Sequence, residues 1–273
     1  MADEPHLKFL KHLKHSNYLN NSVLFYYSDH GLRFGNVRQL YVGKMEERLP
    51  FMFLVFPNWF MKKFPEYANN LRTNSRRLTT PFDIYETLTD ILYFKDNILS
   101  RQGYKNRGMS LFKEIPKSRT CENAGILPHW CTCAKYRTLP TSDVIVRNIA
   151  LFVVSEINRQ LFDVSDLCAD LSIQKIRTAG MLLQSDKVLR FQDSVNDVIN
   201  RTVFYGERAK TVVDYQLTLQ THPGGGVFEA TVQYNELIGS FKMMTEVSRI
   251  NKYGHQSDCI TSHALKKFCF CIT

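Results

Sequence analysis

The sequence lacks any long hydrophobic run. None of its apolar stretches approaches the roughly 20 residues that a transmembrane helix needs. The opening stretch, MADEPHLKFLKHLKHS, alternates lysine with leucine and has no apolar core, so it does not read as a signal peptide. The chain also has no internal repeat and no low-complexity tract, which excludes a repeat architecture.

Acidic residues are also scarce. The 273 residues include 26 Asp and Glu against 35 Lys and Arg, which gives a formal net charge of +9. The basic residues are spread along the chain in short pairs such as Lys62-Lys63, and the aromatic residues lie in core-like runs away from them. A nucleic-acid-binding module is therefore not expected, and we interpret most of the charge as solvated surface. Hydrophobic residues make up 44% of the chain, which is ample for a packed core.

Apolar runs and capping signals in the first half predict an α/β layer. VLFYY (23–27) and FMFLVF (51–56) have the length and composition of buried parallel strands, and we expect them to be neighbours in one sheet. Helices are expected over residues 6–15, from Pro65 through Leu78, and from Pro81 onward with Thr80 as the N-cap.

The second half predicts a helix and an antiparallel sheet. SDVIVRNIALFVVSEINRQLF places apolar residues on one helical face after the cap candidate Ser142. KTVVDYQLTLQT and VFEATVQYN flank HPGGG as a hairpin, and FKMMTEVSRI is expected to be a third strand. Residues 96–142 hold Gly, Pro and Cys with little periodicity, so we interpret them as a long connecting segment.

A polar tetrapeptide, SDHG, ends the first apolar run. Ligands of open α/β sheets collect at the carboxyl ends of strands, which is where Asp29 and His30 are expected. A carboxylate beside an imidazole suits zinc, manganese or a related divalent ion. The same residues equally suit a polar turn closed by Gly31, and two ligands alone do not complete a metal site.

The context of SDHG favours the metal interpretation. GKMEERLPFMFLVFP, TPFDIYETLTDIL and GMSLF follow it in the order of similar segments in the downstream half of the sulfatases. The chain thus resembles sulfatases of the alkaline phosphatase superfamily. It is most similar to an uncharacterised animal family of sulfatase-like proteins known by a domain-of-unknown-function label, whose marks include DHG.R.G..R, NLR.N..RLTTPFD.Y.TL.DIL and PGGG.FEATV. The resemblance runs from about residue 2 to the C-terminus.

The resemblance implies a fold and a domain organisation. The fold class is α/β, with a partial alkaline phosphatase/sulfatase-like sheet layered with helices and a C-terminal α+β subdomain with an antiparallel sheet. Residues 1–142 are then the C-terminal part of the catalytic domain, including the cysteine-containing connecting segment. Residues 143–273 are an accessory α+β region.

The resemblance also implies site residues. Asp29 and His30 correspond to ligands of one divalent ion (calcium, manganese or zinc). Arg33, Arg38 and Lys44 lie near this pair in the sequence, and we expect them to contact an anionic ester substrate. Surface charge on a loop is the alternative for each of these three cations. The stretch FGNVRQLYVG has no His where sulfatases commonly have one, which favours a single-metal site.

The superfamily's nucleophile motif is absent from the sequence. No C-x-P-x-R pattern occurs, and only 28 residues precede Asp29. The resemblance therefore implies the C-terminal fragment of a sulfatase-like, metal-dependent hydrolase of sulfate or phosphate esters. As written, the chain is expected to be catalytically incomplete and to bind metal poorly. The alternative is a non-catalytic secreted or cell-surface interaction protein on the same fold.

The seven cysteines predict disulfides. HWCTC and CFC have C-x-C spacing, which suits zinc less well than C-x-x-C, whereas disulfides joining separate segments suit an exported protein. Because seven is odd, one thiol is free or has a partner elsewhere. The cysteines and the resemblance predict an extracellular or secretory location. The disulfide candidates are Cys121, Cys131, Cys133, Cys259, Cys269 and Cys271.

Overall fold

A computed structural model of the protein describes residues 3–94, 107–183 and 212–272. Its helices are α1 Asp3–His15, α2 Tyr41–Arg48, α3 Asn58–Lys63, α4 Pro65–Asn74, α5 Pro81–Leu92, α6 Val144–Leu161 and α7 His263–Lys266. Its strands are β1 Leu24–Tyr27, β2 Met52–Val55, β3 Lys135–Thr138, β4 Ser172–Leu183, β5 Val212–His222, β6 Val227–Asn235, β7 Ser240–Met243 and β8 Ser248–Arg249. The predicted fold class, α/β with an antiparallel sheet in the second half, is confirmed.

Contacts group these elements into two units. The first unit comprises Met1–Gly31 and Leu49–Ile126, and the second comprises Leu32–Arg48 and Leu127–Thr273. This division does not follow the predicted boundary between residues 142 and 143. The reason is that the segment carrying α2 packs with the C-terminal sheet.

In the first unit, β1 and β2 are neighbours, as predicted, but they are antiparallel. Leu24 pairs with Val55 and Tyr27 pairs with Met52, so the chain leaves β1 and enters β2 at the same end of the ribbon. The expectation of parallel, buried strands is therefore wrong. Phe53 is 61% exposed, which shows that one face of this ribbon is open. The argument that placed Asp29 at the carboxyl edge of a parallel sheet does not apply to this ribbon.

The first turn of α5 is fixed by Asp83. The predicted cap is confirmed, because the Thr80 N–H donates to Asp83 Oδ2 at 2.6 Å in a capping box. Asp83 is fully buried and also accepts from Arg119 at 2.8 and 3.0 Å. The preceding helix, α4, ends at Asn74 rather than at Leu78, because the Asn74 side chain bonds to the backbone of residues 111–115.

The second unit is built on a six-stranded antiparallel sheet. Its order is β3-β4-β5-β6-β7, with β8 also pairing with β6. The predicted hairpin is confirmed, since Gln220 pairs with Val227 across the HPGGG turn. The predicted third strand is two strands, β7 and β8. Strand β3 lies within the segment that the sequence indicated to be a connection.

Helix α6 covers one face of this sheet. Its N-cap is Asp143, which accepts from the Ile145 N–H at 2.9 Å, and not the predicted Ser142. The apolar face predicted from the sequence is confirmed. The buried residues of α6 are Val146, Ile149, Ala150, Val153, Val154, Ile157 and Leu161. They pack with sheet residues that include Leu217, Leu219, Phe228, Ala230 and Val232.

The prediction of disulfides is confirmed, with two corrections. Cys168 pairs with Cys269 and Cys259 pairs with Cys271, while Cys121 and Cys131 are also disulfide-bonded. Cys133 was a candidate, but it is a free, exposed thiol. Cys168 was not a candidate, because it stands alone in the sequence, 101 residues from its partner.

Candidate anion-binding site

Asp29 and His30 lie side by side after β1, in the first unit. His30 Nδ1 donates to the Gly31 carbonyl at 2.6 Å, which leaves the lone pair on Nε2. That Nε2 is 3.4 Å from Asp29 Oδ2, and Asp29 Oδ1 accepts from the His30 N–H at 2.9 Å. Two acceptor atoms therefore face each other across a short gap.

The donor atoms of this pair fit a divalent ion in type and spacing. A tetrahedral zinc ion holds nitrogen and oxygen ligands about 3.3 Å apart, and a backbone acceptor on the far imidazole nitrogen is the usual support of a metal-bound histidine. The pair supplies two ligands. Among the residues that the structure describes, the groups of three or more potential ligands consist of cysteines and include neither Asp29 nor His30.

A separate cluster of charged residues lies in the second unit, around α2. A short 3-10 turn, Val37–Gln39, carries Arg38, and α2 carries Lys44, Glu47 and Arg48. Gly43 lets α2 lie against that turn, because a Cβ at this position would be 2.0 Å from the Val37 carbonyl oxygen. The side chains of Arg38 and Arg48 are 1% and 3% exposed.

Glu229, on β6, is the centre of this cluster. Its carboxylate pairs with Arg48 and lies 3.4 Å from Arg38 Nη1 and 4.0 Å from Lys44 Nζ, while Arg38 also pairs with Glu47. Burial by itself raises the pKa of Glu229, but the positive charges of Arg48 and Lys44 outweigh it and bring this pKa to about 2. Glu229 therefore stays ionised.

The cluster holds more hydrogen-bond donors than acceptors. Arg38, Lys44 and Arg48 are opposed by the carboxylates of Glu47 and Glu229. Arg48 Nε and Nη1 are buried and have no hydrogen-bond partner in the part of the chain that the structure describes. Unpaired buried donors are costly, so the cluster favours an additional acceptor.

His129 joins the cluster to the sheet. Arg48 Nη2 donates to its Nε2 at 3.4 Å, so the ring proton is on Nδ1, which donates to Thr231 Oγ1 at 2.9 Å. Gln216 donates to the same hydroxyl at 3.3 Å. Burial lowers the pKa of His129 to about 4, so the imidazole is neutral near pH 7.

A cavity of about 290 Å³ opens beside this cluster. Its floor, defined here as its charged side chains and the amide that contacts Lys44, consists of Arg38, Lys44, Gln216 and Glu229. Tyr136, Thr138 and Thr178 line it from strands β3 and β4. Leu40 and Tyr41 line it from the beginning of α2 and are exposed.

Tyr136 depends on a second glycine. A Cβ at Gly180 would be 2.2 Å from the Tyr136 ring, so the ring can lie across β4 only where the neighbouring strand has no side chain. Lys44 Nζ lies 5.6 Å from the centre of the same ring. Burial raises the pKa of Tyr136 to about 12, so its hydroxyl keeps the proton and remains a donor.

Lys44 combines positive charge with burial. Its ammonium donates to Gln216, and burial lowers its pKa to about 8 despite the opposing effect of Glu229. At neutral pH the ammonium is still charged. Beside the Glu229 carboxylate, the floor thus offers an ammonium, a guanidinium and an amide in a partly desolvated cavity, which suits an oxyanion.

The structure brings together part of the predicted site. Arg38 and Lys44 both line the cavity, whereas Arg33 is exposed and does not. Sequence reasoning missed Glu229, His129 and Gln216, although FEATV and HWC were among the quoted segments. The signal that would have pointed to Glu229 and Gln216 is an ionisable or amide residue inside an apolar strand pattern, whereas His129 lies in a short 3-10 turn, Pro128–Trp130, and has no such signal.

Comparisons with known proteins place the chain in one family. A family model described as "Protein of unknown function (DUF229)" matches residues 1–177. No curated protein and no solved structure matches the chain. Within the described residues, none of the helices is both long and apolar enough to cross a bilayer.

Proposed function

This chain belongs to the DUF229 family of proteins of unknown function, and we propose that it is part of a sulfatase-like, metal-dependent hydrolase that acts on sulfate or phosphate esters. The observation that carries this proposal is the cavity in the second unit with Arg38 and Lys44 on its floor. These are two of the three cations that lie near Asp29 and His30 in the sequence and that we expect to contact an anionic ester.

The cavity floor provides the physical basis for recognising the anionic group. In a partly desolvated cavity, an ammonium and a guanidinium act on an anion more strongly than they do in water. Gln216 and Tyr136 add neutral donors that orient its oxygens. Glu229 and Glu47 hold the arginines in place, and the cluster still retains an excess of positive charge.

The proposal includes a divalent ion, calcium, manganese or zinc, at Asp29 and His30. When bound, such an ion supplies positive charge that stabilises an ester oxygen. The chain itself supplies the lone pair on His30 Nε2, beside the Asp29 carboxylate. The hydrogen bond from His30 Nδ1 to the Gly31 carbonyl orients the imidazole ring. Further ligands are required in addition to this pair.

The proposal also assigns the protein to the secretory pathway or the extracellular space. Disulfides form and persist in oxidising compartments. Cys168–Cys269 and Cys259–Cys271 support this assignment.

Titration calorimetry with methyl sulfate and with phenyl phosphate tests the anion site on the full chain. We expect Lys44→Met to weaken binding at least about 10-fold, because a charge-assisted hydrogen bond is lost. Lys242→Met removes the same charge from an exposed position on β7 and should leave the affinity within about twofold. Equal losses in both variants, or no binding by the unaltered chain, would refute the anion site.

Titration with zinc, manganese and calcium tests the metal pair. Asp29→Asn removes a charged ligand and should weaken binding of the preferred ion at least about 10-fold. Asp258→Asn is the matched control, because Asp258 forms an exposed pair with His255 at 2.7 Å elsewhere in the chain. If the two substitutions have the same effect, the metal assignment fails.

A further inference from the structure

Exposed apolar residues adjoin the cavity on one side. They lie close together in the sequence, from the 3-10 turn to the first turn of α2. Their exposed fractions are 50% for Val37, 62% for Leu40, 62% for Tyr41 and 60% for Val42. Leu40 and Tyr41 line the cavity itself. Exposed apolar residues grouped beside a polar cavity commonly mark a binding surface.

The cavity therefore changes character from its floor to its opening. Arg38 and Lys44 form a buried, cationic end, and Leu40 and Tyr41 form an exposed, apolar end. The side-chain amide of Gln39, which precedes Leu40 in the sequence, accepts a hydrogen bond from Arg177. An alkyl chain that lies against Leu40 and Tyr41 would remove apolar area from water.

We propose that the substrate of the second unit is an amphiphile, with its sulfate or phosphate group on the cavity floor and an alkyl chain against Leu40 and Tyr41. This inference rests on the proposed function and names the substrate class of the same site. Charge complementarity selects the headgroup, and the aliphatic side chains of Val37, Leu40 and Val42 select the tail.

The size of the cavity sets where the tail lies. At about 290 Å³ it is at the lower end of ligand sites, with room for a headgroup and a short stretch of chain. A longer chain therefore leaves the cavity and lies over the exposed apolar residues. Covering one side of a methylene there removes about half of its area from water, which is worth about twofold in affinity, against about fourfold for complete burial.

The experiment measures the affinity of the full chain for methyl, butyl and octyl sulfate by titration calorimetry at pH 7, below micelle-forming concentrations. We expect octyl sulfate to bind about 100-fold more tightly than methyl sulfate. In Leu40→Ser/Tyr41→Ser this ratio should fall below about 10-fold. Leu237→Ser/Ile238→Ser, which alters exposed residues after β6, should keep the unaltered ratio.

The outcomes separate this inference from the proposed function. If methyl sulfate binds but affinity does not rise with chain length, the amphiphile assignment is wrong and the anion site stands. If methyl sulfate does not bind at all, the proposed function fails first. Octyl glucoside, a neutral control, should not compete with octyl sulfate. Competition by octyl glucoside, or an equal loss of the ratio in the Leu237/Ile238 variant, would show unspecific adsorption and overturn the inference.

Discussion

His129 should make stability depend on pH. The imidazole has a pKa of about 4 in the folded protein and about 6.5 in the unfolded chain, so between these values the unfolded chain binds more protons. The free energy of unfolding therefore falls as the pH drops through this window, by about 2 kcal/mol between pH 7 and pH 5. Urea denaturation at both pH values measures this. His129→Gln should remove most of the difference, and an unchanged difference would contradict the assignment.

Lys44 should make anion affinity depend on pH. Its charged form predominates below a pKa of about 8, so methyl sulfate affinity should fall as the pH rises from 7 to 9.5. Lys44→Arg keeps its charge throughout this range and should give a flatter profile. Calorimetric titrations at several pH values provide the measurement. Parallel profiles in the two proteins would mean that another group governs binding.

The sequence could predict Arg38 and Lys44 as residues of this site, but it could not predict Glu229. Arg38 and Lys44 follow the recognisable SDHG segment closely in sequence, so their place in one site could be predicted. Glu229 is separated from Arg38 by 191 residues, and the register of β5, β6 and β8 decides which strand residues approach α2. No local pattern encodes that register, because it is set by pairing between distant strands.

The packing of helix α2 should depend on Gly43. Gly43→Ala would bring a Cβ to 2.0 Å from a backbone oxygen, so the turn carrying Arg38 must move. We expect a loss of about 1 to 3 kcal/mol in the free energy of unfolding, together with weaker methyl sulfate binding. Gly239→Ala is the control. It has a φ of +65° with open space around it, so it should lower stability but not binding. Unaltered binding in Gly43→Ala would contradict the role of the α2 packing.

The stability of the protein should depend more strongly on Asp83, in the first turn of α5. Asp83→Asn leaves the buried Arg119 charge without its carboxylate partner, and we expect thermal and urea unfolding to show a loss of about 3 to 5 kcal/mol. Glu156→Gln breaks an exposed pair with Arg159 on α6 and should change little. A small effect of Asp83→Asn would mean that Arg119 finds another acceptor.

The predictions of helices and strands are correct where the sequence signal lies within the element itself. The caps of α5 and the apolar face of α6 are encoded within a few turns, and both are observed. Strand β3 and the direction of β1 against β2 depend on a partner strand elsewhere in the chain. A short strand with a mostly exposed face, such as β3, has too little apolar periodicity to be recognised.

For the whole molecule, the disulfides should determine how many cysteines react with an alkylating reagent. Without reduction, iodoacetamide should add one label, at Cys133, and after reduction in denaturant it should add seven. Mass spectrometry distinguishes these results. Seven labels without reduction would contradict both the pairing and the secretory assignment.

The two disulfides in the second unit should contribute unequally. Cys168–Cys269 closes a loop of 101 residues and Cys259–Cys271 one of 12. From loop entropy, replacing both partners by Ser should cost about 5 kcal/mol for the first pair and about 3 kcal/mol for the second. Urea unfolding of the two double variants gives the comparison. The opposite order would show that the loop-entropy account fails for this protein.

The placement of Leu32–Arg48 in the second unit has a consequence for synthesis on the ribosome. Arg38 emerges 191 residues before Glu229, which amounts to about 10 to 40 s at translation rates of 5–20 residues per second. During this interval its guanidinium has no partner on β6, and the exposed leucine, tyrosine and valine beside it face the crowded cytosol or the lumen. The nascent chain should therefore engage holding chaperones through this segment until β6 arrives.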